Sequence, residues 1–193
     1  MSAVVMEMTN ETKQALGDAM KQILQSKSLS RVTVQELADC AGVSRMTFYY
    51  HFQDVYELLQ GVFRQDVQQA LLGKRSYRTW QEGYGALFCL LRENQTFVLN
   101  VYRGAGRDFT ETVLRQMTES LFQDIVGELT ADKPIPDTDR QFLIDFYEYA
   151  FVGILLRWIA EGMQADPDTL IRKQSLLLEG NISDAIDRFS RQV

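Results

Sequence analysis

The chain has 193 residues, 46% of them apolar, which is enough for one domain with a real core or for a small domain joined to a larger one. Its 20 Lys and Arg against 26 Asp and Glu give a net charge of -6. That balance excludes the global basic signature of a histone-like or RNA-coating protein and confines any nucleic-acid contact to a local surface. Cys40 and Cys89, the only two cysteines, lack CxxC spacing, which argues against a disulfide framework or a zinc site and fits a reducing compartment. The longest charge-free stretches, such as 83–91 and 94–102, reach nine residues, whereas a membrane span needs ~20. A cytoplasmic protein without cofactors is expected.

Prolines stand only at 134, 136 and 167, and apolar spacing of the i, i+3, i+4 kind recurs throughout, so an all-α chain is expected. The first helix is predicted from near Asn10, burying Leu16, Ala19, Met20, Ile23 and Leu24 and ending around "QSKSLS". On it, Lys13, Lys21 and Lys27 read as a solvated face, with added charge toward a polyanion as the alternative. Two short helices follow. Asp54 can then cap a longer one carrying Leu58, Leu59, Val62, Phe63, Val67 and Leu71, closed by "GKRSYR". This gives a first module of residues 1–54, a connecting helix of about 54–74 and a larger helical region, 75–193. There, 79–93, 94–103 and 107–130 read as helices, and "ADKPIPD" as a loop. Asp137 opens a long helix to about Gly162. Asp166 as N-cap and Pro167 at the first helical position open a last helix with Leu170, Ile171, Leu177, Leu178, Ile182, Ile186 and Phe189 on one side.

The most specific stretch is "RVTVQELADCAGVSRMTFYYHFQDVY", residues 31–56. Thr33 and Glu36 form a capping box, with the Thr hydroxyl accepting from the Glu36 amide and the carboxylate returning to the Thr33 amide. Gly42 offers a left-handed stop, and Ser44 can cap a new helix at once. Two short helices joined in this way make a helix-turn-helix, whose second helix enters the DNA major groove. Helical spacing turns Phe48, Phe52 and Val43 inward on Leu37 and Ala38, leaving Arg45, Met46, Thr47, Tyr49, Tyr50 and His51 outward. Such a face suits a duplex: Arg pairs with guanine edges, hydroxyls reach phosphate, and Met touches a thymine methyl. The competing reading has the aromatics packed between helices.

From Thr33 to Phe52, "TVQELADCAGVSRMTFYYHF" resembles the DNA-binding signature of the tetracycline-repressor (TetR/AcrR) family of bacterial transcription regulators. The resemblance implies an N-terminal three-helix DNA-binding domain followed by a larger C-terminal helical bundle for ligand or partner sensing and dimerisation. It implies base-edge roles for Gln35, Arg45, Met46 and Tyr50, and phosphate contacts for Thr33, Ser44, Thr47, Tyr49 and His51. The expected partner is a double-stranded operator bound by a homodimer. Two departures stand out. The family commonly places a lysine near Gln53 and Val55, and a small residue where Met46 sits. Arg31 and Arg45 stand against Glu36, Asp39 and Asp54, so residues 31–56 carry a net charge of -1. A shallow salt dependence and weak non-specific binding follow.

Farther on, "YAFVGILL" (149–156) lies in a helix apolar on all sides, which must be buried all round, by its own core on one side and a partner on the other. Paired with the final helix, and with Leu155, Trp158, Leu177, Leu178 and Ile182 as contacts, it fits a four-helix dimer interface, as the resemblance also implies. The centre, "GYGALFCLLRENQTFVLNVYRGAGRDF", suggests a cavity lined by Tyr84, Phe88, Phe97, Tyr102, Tyr147 and Phe151, with Arg103 as a buried cation for a small, anionic effector. Plain core packing is the alternative. Together with "FYEYAFVGILLRWIAEGMQADP", this region resembles the branch of dihydroxyacetone-kinase regulators, which implies that the signal can come from a kinase-like partner protein instead.

An enzyme is disfavoured. The single histidine lies in the reader helix, no metal-ligand spacing occurs, and no Gly-rich phosphate loop follows a strand. Asp137, Asp139, Asp166 and Asp168 read as helix-start residues favoured by the helix dipole. A helical adaptor of the same fold with weak or lost DNA binding is the remaining rival.

Overall fold

A computed structural model describes residues 3–178 and 180–191. Among the described residues every regular element is helical, as the all-α expectation requires. The helices are α1 (Ala3–Ile23), α2 (Val34–Ala41), α3 (Arg45–His51), α4 (Val55–Ala70), α5 (Trp80–Glu93), α6 (Gln95–Thr130), α7 (Asp137–Ala160), α8 (Pro167–Leu178) and α9 (Asn181–Ser190). A short 3-10 turn, Leu29–Arg31, precedes α2. α1 starts seven residues before the expected Asn10, since neither Gly nor Pro interrupts 3–9.

The chain forms two compact units, Met1–Gln65 with Asn94–Thr110, and Asp66–Glu93 with Glu111–Val193. Compactness thus draws its line through α4 and α6, not at the residue 54 and 75 positions of the sequence division. α6 is broken at Gly106 (φ 86°, ψ 179°), in the gap expected between helices 94–103 and 107–130.

In the first unit, Leu16, Ala19, Met20 and Leu24 are buried together with Leu37, Ala38, Phe48, Leu58, Leu59, Val62 and Phe63. α1 packs on α2 and α2 on α3. α1 and α4 approach closely: a Cβ at Gly17 would sit 3.2 Å from Val62 Cγ2, and Gln65 Nε2 donates to Gln14 Oε1 at 2.9 Å. The first part of α6 closes the unit, with the Phe63 and Phe97 rings 5.2 Å apart and Asn100 Nδ2 donating to the Leu24 carbonyl at 2.8 Å.

The second unit is organised around edge-to-face aromatics. Phe151 of α7 meets Trp80, Tyr84 and Phe122 at 5.5, 4.6 and 4.9 Å, and Phe88 meets Trp158 at 4.8 Å. Such pairs add about 0.5–1.5 kcal/mol each beyond the area they bury. Asp166 caps α8 through the Thr169 amide (3.0 Å) with Pro167 at the first helical position, and Asp137 and Asp139 lie in the first turn of α7. The expected single final helix is two, because Gly180 takes a left-handed conformation (φ 75°) that ends α8 and starts α9.

Candidate nucleic-acid interface

Local chemistry builds the reading module. Thr33 is the N-cap of α2, accepting from the Glu36 amide at 3.2 Å. The return bond expected from the Glu36 carboxylate does not form; that carboxylate instead takes Lys27 Nζ at 2.6 Å, a charged donor outcompeting an amide. Gly42 closes α2 in the left-handed region (φ 68°), and the Val43 amide reaches back to the Ala38 carbonyl at 2.9 Å. Ser44 then caps α3, its hydroxyl accepting from the Thr47 amide at 3.0 Å. Asp54 caps α4 through the Glu57 amide (2.9 Å), while Glu57 accepts from the Gln53 amide (2.5 Å).

One side chain fixes α3 on its support. Phe48 is fully buried, with Phe52 5.9 Å away ring to ring. The opposite face is open: Met46 is 80% exposed, Tyr50 77% and Tyr49 48%. Arg45 is exposed and lies 5.6 Å from the Tyr49 ring centroid, with Nη2 donating to the Tyr49 hydroxyl at 3.4 Å. His51 is half-buried against Tyr50, 5.0 Å between rings. Burial first, and the Lys13 charge second, hold its imidazolium below the ordinary histidine range. Ser44 and Thr47 share a hydroxyl contact of 2.8 Å at the start of the helix, and Thr33 is exposed. Gln35 is exposed on α2, with its amide held by Asp39 at 2.7 Å. The structure therefore gathers Arg45, Met46, Thr47, Tyr49, Tyr50 and His51 on one short helix, with Ser44 as its cap, and places Gln35 and Thr33 on the preceding one.

The candidate effector residues divide between the two units. Phe97, Tyr102 and Arg103 belong to the first compact unit, and Tyr84, Phe88, Tyr147 and Phe151 to the second. Arg103 is exposed, not the buried cation expected, because its position on α6 faces solvent. Tyr84, Phe88 and Phe151 fill the core against one another, and the Tyr84 hydroxyl donates to the Phe151 carbonyl at 2.9 Å. Burial raises the Tyr84 phenol well above its ordinary range. An open groove of about 700 Å³ in the second unit is lined instead by Asp66, Lys74, Glu82, Ala86, Cys89 and Glu93, among others.

The dimer residues also need correction. Leu155, Trp158 and Ile182 are covered by their own chain, so they offer no free surface; Leu177 is 70% exposed and Leu178 half-buried. Along 149–156 one side is buried by the chain itself, while Tyr149, Ala150 and Gly153 face outward, on the side for which a partner is expected. The sequence reading missed the stripe they continue, Phe142, Phe146 and Tyr149, whose i, i+4, i+7 spacing was its available signal. Arg115 braces that stripe. Its Nη1 donates to the Tyr149 hydroxyl at 2.9 Å, its guanidinium lies 4.4 Å from the Tyr149 ring centroid, and it pairs at 3.0 Å with the buried Glu148. Burial pushes the Glu148 carboxyl upward, against the pull of Arg115.

Known proteins resemble this chain in sequence and in fold. Residues 17–62 match the family model of bacterial regulatory proteins, tetR family, and residues 78–180, over half of the chain, match that of a transcriptional regulator C-terminal region. The HTH-type dhaKLM operon transcriptional activator DhaS of Lactococcus lactis subsp. lactis (strain IL1403) is 26% identical over 166 residues, covering 84% of this chain and 88% of that protein. The HTH-type transcriptional regulator AcrR of Shigella flexneri is 22% identical over 181 residues, covering 93% and 78%. Among solved structures, the dihydroxyacetone kinase operon activator DhaS is similar in fold, with a TM-score of 0.65 and 23% identity over 93% of this chain and 98% of that one. No described helix is long and apolar enough to cross a membrane. With a capped reader helix in its first unit and both halves matched, the chain belongs to the TetR family of transcriptional regulators.

Proposed function

We propose that the protein acts in the cytoplasm as a homodimer that binds a palindromic operator, each subunit laying α3 in the major groove. The observation that carries this reading is the open face of α3, where Arg45, Met46, Tyr49 and Tyr50 stand exposed on a helix pinned by Phe48. Arg45, Met46 and Tyr50, with Gln35 beside them, read base edges; Thr33, Ser44, Thr47, Tyr49 and His51 hold phosphates. In this division of labour residues 1–54 bind DNA, the 54–74 segment connects, and 75–193 sense and dimerise. A two-fold dimer places two readers about 34–36 Å apart on one face of a duplex. The exposed stripe of Phe142, Phe146 and Tyr149 is the surface we assign to dimerisation, joined by Leu177.

The signal is read at the second unit. DhaS is named as an activator of the dhaKLM operon, and by that likeness a kinase-like partner protein is the favoured signal here. The tight ring packing of Tyr84, Phe88 and Phe151 supports a partner over a small molecule enclosed by those residues.

A mobility-shift titration at low salt, with DNA from upstream of the protein's own gene, tests the reading. The wild-type protein is expected to shift this DNA, and Arg45→Ala with Tyr50→Ala to lose roughly 10²-fold in affinity, at about 1–3 kcal/mol per base contact. Absence of binding by the wild-type protein favours the second reading, an adaptor of the same fold. That reading draws on the net charge of -1 over 31–56 and on Gln53 and Val55.

A further inference from the structure

The module that meets DNA is short of cations. Among the basic residues of the first unit, Lys27 is bound to Glu36 at 2.6 Å, Arg45 is turned onto the Tyr49 ring in the base-reading position, and Arg31 and Arg64 stand exposed on the 3-10 turn and on α4. Lys13 is the cation whose charge acts on His51, the last residue of α3. It stands exposed on α1, and no ion pair to it is found among the described residues. Nearby Asp18 is engaged by Gln14 Nε2 at 3.1 Å.

Packing brings Lys13 toward the end of the reader helix. One turn along α1, Gly17 abuts Val62 on α4, where a Cβ would come within 3.2 Å of Cγ2. The neighbouring Gly61 lies against Phe52, a Cβ there meeting Cε1 at 3.6 Å, and Phe52 directly follows His51. The Gln65 to Gln14 bond of 2.9 Å fixes the same register between α1 and α4. His51 feels the result, since the Lys13 charge disfavours its protonation. Lys13 thus acts electrostatically on the half-buried imidazole at the last residue of α3, the end opposite Arg45.

We propose that Lys13 is a phosphate-binding residue of the operator complex, gripping the DNA backbone beside His51 and supplying from α1 the positive charge that residues 31–56 lack. This inference rests on the DNA-binding reading above. A lysine is suited to the role as a compact charge on a flexible stem, which positions the duplex without selecting bases.

Operator binding by the full-length dimer, followed by fluorescence anisotropy over a range of salt concentrations, is the test. Each neutralised phosphate contributes about 0.9 to the log-log salt slope, so Lys13→Gln is expected to flatten the slope by about 0.9 per subunit. The same coefficient, taken from a 1 M reference, gives about an eightfold loss per subunit at 0.1 M salt. Arg92→Gln, removing an equal charge from α5 of the other unit, is expected to leave the slope unchanged. By NMR, the His51 imidazole in the free Lys13→Gln protein should titrate closer to the ordinary range, reporting the proximity without DNA. An unchanged salt slope in Lys13→Gln, with the wild-type protein still bound, overturns the proposal whatever the imidazole does. Failure of the wild-type protein to bind at all overturns the DNA-binding reading first.

Discussion

Both α3 and α7 hold aromatic side chains out to solvent, and the two faces are chemically unlike. On α3 the exposed rings end in hydroxyls, Tyr49 and Tyr50, and stand beside Arg45 and His51. On α7, Phe142 and Phe146 present only carbon, and the one hydroxyl in the stripe, that of Tyr149, is already taken by Arg115. A surface ending in polar tips can exchange water for phosphate and base edges at little cost. A surface of phenyl rings gains only from a dry partner, which is why it fits another protein chain. Exposure alone does not name a partner; the outermost atoms do.

The largest test of this contrast separates buried from exposed on α7. Trp158→Asp is expected to unfold the second unit, since losing a large buried aromatic costs about 3–5 kcal/mol and the new carboxylate adds to it. Phe146→Asp should keep its far-UV circular dichroism and thermal transition while sedimenting as a monomer. A Phe146→Asp protein that remains dimeric would move the partner surface elsewhere. On α3, Ser44→Ala should cost about 1 kcal/mol of stability through the lost N-cap, seen as a lower urea midpoint, and should weaken operator binding as the start of the helix frays. The smallest effect concerns pH. His51 has its folded pKa depressed, so the unfolded chain binds the proton first; its contribution to stability is complete above the ordinary imidazole range and is lost as pH falls through the lower, folded value. A phosphate beside it favours the protonated form. Operator affinity is therefore expected to rise as pH drops below that ordinary range, and the rise to vanish in His51→Gln.

The sequence spelled out the α2 to α3 module because its instructions are local. Thr33, Gly42, Ser44 and Asp54 each act within a few residues of themselves, and all occupy the capping positions their chemistry suggests. Partners arriving from elsewhere in the chain were not legible: Lys27 takes the Glu36 carboxylate from a loop, and Arg115 reaches α7 from α6. The apolar run 149–156 showed that α7 has two apolar sides, but composition could not say which side the chain's own aromatics would claim. Phe88 claims Trp158, which leaves the stripe of Phe142 and Phe146 exposed, the surface proposed for dimerisation. In the aromatic centre the buried cation was the misplaced expectation, since spacing alone could not say that Arg103 would lie on the solvent side of α6.

The contacts of the first part of α6 bear on how the protein can be divided. Gly104 lies so near the 3-10 turn that a Cβ there would meet the Leu29 amide nitrogen at 2.9 Å, and Asn100 supplies the donor for the Leu24 carbonyl. A fragment cut after residue 74 would keep the whole reader sequence yet lose the lid over Leu29, the ring beside Phe63 and the partner of a helix-end carbonyl. The reader is therefore written in one contiguous stretch but finished by another some seventy residues later, and it cannot be lifted out by cutting the chain once.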